Sequence, residues 1–155
     1  MTSATKLERE LTLVRIFDAP RELVFQAWTD PKMMAKWWGP RIVTDSICEL
    51  DVRVGGSLRI VMRAQGGQEY PMKGVFTEVV APELLAFTNI AVDEKGTHLL
   101  EGTTRVTFEK QGDKTKLTMH THMFGKVPQA EFMLGGMQEG WSQSFDRLAE
   151  FLAQR

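Results

Sequence analysis

The chain has 155 residues and a formal net charge of −1, with 43% hydrophobic and 25% charged residues. That length suits one domain, 1–155, which buries roughly 70% of its unfolded surface and needs no disulfide or metal to fold. The composition excludes intrinsic disorder, and the balanced charge excludes the basic excess of nucleic-acid and anionic-membrane binders.

The N-terminus, Met1 to Glu10, has no apolar run and carries early acids, so it does not read as a signal peptide. No stretch approaches the roughly 20 apolar residues that cross a bilayer. The first eight residues are polar and expected to fray, leaving an ordered core of about 10–153. Leu11–Phe17 reads as a strand. Asp18-Ala19-Pro20 stops it, with Asp18 placed to cap a helix and Pro20 suited to its first turn. Leu23, Val24, Ala27 and Trp28 then form one apolar stripe of that helix. Pro31 opens a second short helix carrying Met33, Met34, Trp37 and Trp38, which Gly39-Pro40 ends.

Six strand-like runs follow: Ile42–Val52, Ser57–Ala64, Glu69–Val80, Leu84–Val92, His98–Lys110 and Lys116–Phe124. Their short, regular spacing and Gly-rich turns predict an antiparallel meander. Leu134, Met137, Trp141, Phe145, Leu148 and Leu152 then step by three or four along a long amphipathic helix. Asp146, Arg147, Glu150 and Gln154 occupy its other side. Gly135, Gly136 and Gly140 each cost about 1 kcal/mol against alanine in a helix interior, so the helix proper starts near Met137 or its first turns are loose. The fold class is α+β: a curved sheet of about seven strands around a C-terminal helix, with two short helices after the first strand.

A sheet bent round one helix does not fill itself, and this chain offers 9 Met, 4 Trp and 9 Phe to its interior. Met fills irregular gaps and also lines adaptable binding surfaces, so a packed core and a ligand cavity are both open readings. A dry void of about 300 Å³ would cost on the order of 7 kcal/mol, so a real cavity holds ligand or water or is partly polar. The candidate lining comprises Leu58, Ile60, Met72, Phe76, Phe87, Val106 and Met119, with Asn89, Thr104 and Thr121 as polar points. Trp28 and Trp38 from the short helices, and Met133, Met137, Trp141 and Phe145 from the last helix, complete it.

No catalytic set stands out. His120 and His122 share one strand face, but Leu117, Met119, Thr121 and Met123 form the apolar alternate face. The histidines therefore point outward, and a metal held with His98 is not expected. Asp51, Glu78 and Glu101 are the acid–base candidates, and none has a catalytic partner at motif spacing. The single cysteine, Cys48, lies between apolar neighbours and reads as a small hydrophobe. It also points to a reducing compartment, the cytoplasm.

Several segments taken together resemble one family. They are Asp18–Pro31, Trp37-Trp38-Gly39-Pro40, Asp51–Gly56, Gly74–Val79, Pro82–Thr88, and Gly140-Trp141 followed by Phe145–Leu148. In this order, from about Leu11 to Leu152, they resemble homologues of the activator of the heat-shock-protein-90 ATPase. That family lies within the START-like, birch-pollen-allergen-like (SRPBCC) superfamily. The resemblance implies a helix-grip fold with an internal hydrophobic cavity, and no shared catalytic residues. Where the family commonly has an aromatic after the central Phe-Thr, this chain has Asn89. The chain has no room for the additional domain of the eukaryotic co-chaperone. The expected partner is a small hydrophobic molecule, with no cofactor, no nucleic acid, no membrane insertion, and a homodimer left open. Two alternatives stand: a cyclase- or hydrolase-type cavity enzyme with a buried acid–base residue, and a chaperone-regulating module with an exposed apolar patch.

Overall fold

The computed structural model describes residues 7–154. Among them seven strands form one antiparallel sheet in the order β1-β7-β6-β5-β4-β3-β2. The strands are β1 Glu8–Phe17, β2 Val43–Leu50, β3 Ser57–Ala64, β4 Glu69–Val80, β5 Leu84–Val92, β6 His98–Gln111 and β7 Lys114–Gly125. The helices are α1 Arg21–Thr29, α2 Pro31–Met34, α3 Ala130–Gly135 and α4 Met137–Ala153.

Strands β2 to β7 form the meander that their turn residues predict. Period-two alternation gives the sheet an apolar inner face: on β7, Leu117, Met119, Thr121 and Met123 are buried while His120 and His122 are half-exposed. The sheet curls where backbones approach closely. A Cβ on Gly74 would lie 1.9 Å from the Thr88 carbonyl oxygen, and one on Gly102 would lie 2.1 Å from that of His122. Only glycine fits either place.

Strands β1 and β2 are the two sheet edges, so the chain must cross the concave face between them. Helices α1 and α2 make that crossing and bury Val24, Phe25, Ala27, Trp28 and Met34. The α2 helix opens with Pro31, and the Asp30 carboxylate accepts from the amides of Lys32 and Met33.

Several boundaries differ from expectation. Strand β1 begins at Glu8, because the Glu8 and Glu10 carboxylates meet His122 and His120 on β7 at 2.7 and 2.6 Å. The fraying expected of the first residues otherwise concerns 1–6, outside the described residues. Pro20, not Asp18, takes the N-cap position of α1, with no side-chain cap bond. Helix α2 stops at Met34, leaving Trp37 and Trp38 in a turn, where the Trp37 indole donates to the Ala27 carbonyl at 2.9 Å. The last apolar stripe is divided between α3 and α4, parted at Gly136.

Two apolar clusters result. The larger holds Phe17, Trp28, Trp37, Leu85, Val106, Phe108, Leu117, Met119, Phe145 and Leu148. The smaller, under α3, holds Leu100, Met123, Ala130 and Leu134.

Candidate functional site

Between these clusters lies a cavity of about 280 Å³. Strands β3 to β7 supply its floor through Met62, Tyr70, Met72, Asn89, Ala91, Leu100, Thr121 and Met123. The roof is Met133 of α3 with Met137, Gly140, Trp141 and Ser144 of α4. The Trp38-Gly39-Pro40 turn closes one side.

The cavity is lined by apolar groups with a few polar ones. Among the described residues no carboxylate, imidazole, thiol, amine or guanidinium lines it, and Tyr70 is its one ionisable residue. The Ser144 hydroxyl is used: it accepts from the Gly39 amide and donates to the Gly140 carbonyl, both at 3.1 Å. Asn89 and Thr121 form a polar end. Thr104 and Thr121 face each other across β6 and β7, their hydroxyl oxygens 3.0 Å apart. Asn89 lies opposite Gly102 in the β5–β6 register. The Thr104 hydroxyl donates to Asn89 Oδ1 at 2.7 Å.

The tryptophans divide between wall and support. Trp38 and Trp141 line the cavity, edge to face with centroids 5.1 Å apart. Trp28 lies behind, nearly parallel to Trp141 at 6.2 Å and against Trp37 at 4.8 Å. Its indole N–H is buried with no hydrogen-bond partner among the described residues.

Of the residues picked from sequence, Trp38, Met72, Asn89, Thr121, Met133, Met137 and Trp141 meet at the cavity. Trp28, Leu58, Ile60, Phe76 and Phe87 stand around a deeper gap of about 10 Å³, room for one water at most. Thr104 touches the cavity only through Asn89 and Thr121. Val106, Met119 and Phe145 are core residues away from the wall, because α1 fills the concavity beside them. Sequence reading missed Met62, Tyr70 and Met123, although each continues the alternation of a strand already chosen.

It also misplaced Arg147. The guanidinium is half-buried and donates to the carbonyls of Trp38, Gly39 and Pro40 at 3.3, 2.8 and 3.2 Å, so it clamps the turn that walls the cavity. Burial, then the nearby Arg41 charge, lowers its pKa below the usual arginine range. Arg9 does the same for the roof. It donates to the carbonyls of Leu134 and Gly135 at 2.9 and 3.2 Å, satisfying the end of α3. Beside this roof Phe132 is 89% exposed.

The other candidates lie outside the cavity. His98 meets Glu101 at 2.6 Å, and its hydrogen bond holds that carboxyl below the usual range. Glu78 pairs with Arg105 at 3.4 Å and Asp51 with Arg53 at 3.0 Å. Among the described residues no three His, Cys, Asp or Glu side chains gather as a metal site. Burial pushes the Cys48 thiol up to about 12, far from a reactive thiolate. No described helix is long and apolar enough to cross a membrane.

Solved structures share this architecture. A protein from Arthrobacter aurescens superposes with TM-score 0.82 at 24% identity, covering 94% of this chain and 87% of its own. One from Nitrosomonas europaea gives 0.73 at 26% identity, covering 94% of each. An AHSA1 protein from Silicibacter pomeroyi gives 0.76 at 26%, covering 94% of this chain and 99% of its own. No curated protein matches the chain. The family described as activator of Hsp90 ATPase homolog 1-like protein matches residues 18–153, and with the helix-grip fold around its C-terminal helices the chain belongs to that family, within the SRPBCC superfamily.

Proposed function

We propose that the chain binds a small hydrophobic or aromatic molecule in the cavity between the sheet and α3–α4. One observation carries this reading: about 280 Å³ of almost wholly apolar space inside a domain of 155 residues. The pocket is half-open, so its apolar walls stand in water until a guest covers them, and covering them is worth roughly 25 cal/mol per Å². Trp38, Met72, Asn89, Thr121, Met133, Met137 and Trp141 are its proposed contacts, with Trp28, Leu58, Ile60, Phe76 and Phe87 as backing. Thr104 positions Asn89, while Val106, Met119 and Phe145 hold the fold behind them. The single cysteine, half-buried Cys48, suits the reducing cytoplasm.

Native mass spectrometry of the purified chain tests this directly, reporting a retained small molecule and the subunit count together. A thermal-shift series against lipids and polycyclic aromatics extends it. A guest at 100 times its Kd adds about 2.7 kcal/mol, a rise of about 5 °C or more for a domain of this size. A chain that carries nothing and melts unchanged across both classes overturns the reading.

A further inference from the structure

We propose that Asn89 selects, among apolar guests, those carrying a hydrogen-bond-accepting oxygen such as a ketone carbonyl. This inference rests on the cavity-binding reading and adds the chemical class of the guest.

It follows from counting protons at the polar end. Asn89 has two amide N–H donors and one carbonyl oxygen, and each threonine has one hydroxyl proton. The Thr104 proton goes to Asn89 Oδ1 at 2.7 Å. Thr121 Oγ1 lies 3.2 Å from the Thr103 carbonyl and 3.0 Å from Thr104 Oγ1, so its proton is also used within the chain. The Asn89 amide nitrogen meets only the Met72 thioether, at 3.8 Å. Thioether sulfur accepts weakly and cannot donate, which fixes the amide with nitrogen rather than oxygen towards it. One N–H of Asn89 thus has no acceptor among the described residues, and the side chain lines the cavity at 5% exposure. A buried donor left unmade is costly, and its removal is what a correctly placed oxygen offers. At interior packing density the space suits an apolar body of about ten to fifteen non-hydrogen atoms.

Three flat tricyclic probes of equal shape test this by equilibrium dialysis: 9-fluorenone with an accepting carbonyl, fluorene with a methylene, and carbazole with a donating N–H. Fluorenone is expected to bind about tenfold tighter than fluorene, and carbazole no tighter than fluorene. Asn89→Leu should bring fluorenone to within about twofold of fluorene. Asn89→Asp, which keeps the acceptor for Thr104, should also remove the ketone preference. The wild-type comparison decides even where a variant does not fold. Equal binding of all three overturns the inference and leaves the cavity reading standing. Tightest binding by carbazole overturns it too, since an oxygen of Asn89 or Thr121 would then face the guest. If none of the three binds, this inference falls, while the cavity reading is decided by the retained-molecule and thermal-shift measurements above.

Discussion

The two ends of the concave face share one sheet and one helix, yet one is solid and the other hollow. At the solid end α1 inserts Phe25 and Trp28 against Phe108, with ring centroids 5.2 and 6.2 Å apart. At the hollow end α3 contributes only Met133 to the cavity and turns Phe132 outward. Strand alternation is the same at both. What differs is whether the helix above delivers large side chains into the curve. Hollowness is therefore a property of the covering helices more than of the sheet.

The largest expected effect tests this contrast. Phe108→Ala should cost about 4 kcal/mol in urea unfolding, while Met137→Ala, whose side chain already borders open space, should cost under about 1 kcal/mol. Equal losses would break the comparison. Next, Arg147→Met should cost about 1.5–3 kcal/mol by leaving the carbonyls of the Trp38–Pro40 turn without their charged donor. Arg147→Lys should not fully rescue it, because the three carbonyls meet Nη1, which lies one atom further along the side chain than a lysine nitrogen. A full rescue by lysine would show that charge alone, not the clamp, matters there.

A smaller gain is expected at the hollow end. Gly140 sits inside α4, and a Cβ there meets nothing within 4 Å. Gly140→Ala should stabilise by about 1 kcal/mol, raising Tm by about 2–4 °C, while taking a methyl's worth of the cavity. A loss of stability would mean that this end is tighter than its geometry. The smallest effect concerns Glu150 on α4, which meets Arg41 at 2.5 Å. The hydrogen bond from Arg41 holds its carboxyl below the usual range. Stability from the pair is therefore present above the ordinary carboxylate pKa of about 4.3 and lost as pH falls through the lower folded value. The melting temperature of Glu150→Gln should lie slightly below wild type at pH 7 and converge with it towards pH 3. A gap that widens in acid would reverse the sign.

The sheet was legible because period two runs cleanly along strands such as β7, as Leu117, Met119, Thr121 and Met123 show. Part of the candidate site was legible for the same reason. Alternation says which side chains face inward but not what lies opposite, so Val106 and Met119 were chosen beside Thr121 although α1 fills their space. Arg147 escaped for another reason. Its position on α4 puts it among polar residues, yet its long stem reaches a carbonyl 108 positions earlier. The end of α2 was set by the Trp37 indole bonding back to Ala27, a contact that local propensity does not contain. Gly135 and Gly136 did mark the division between α3 and α4.

The Arg9 clamp on α3 joins residues 125 and 126 positions apart. Strand β1, which carries Arg9, pairs only with β7. During synthesis the first strand emerges early and waits for nearly the whole meander before its neighbour exists. Contacts of such separation form late and slowly. Until then β1 is an open edge bearing Leu11, Leu13, Val14 and Ile16, able to pair with another copy. The chamber's lid thus depends on contacts that close nearly the whole chain, and a chain that has not made them leaves β1 unpaired.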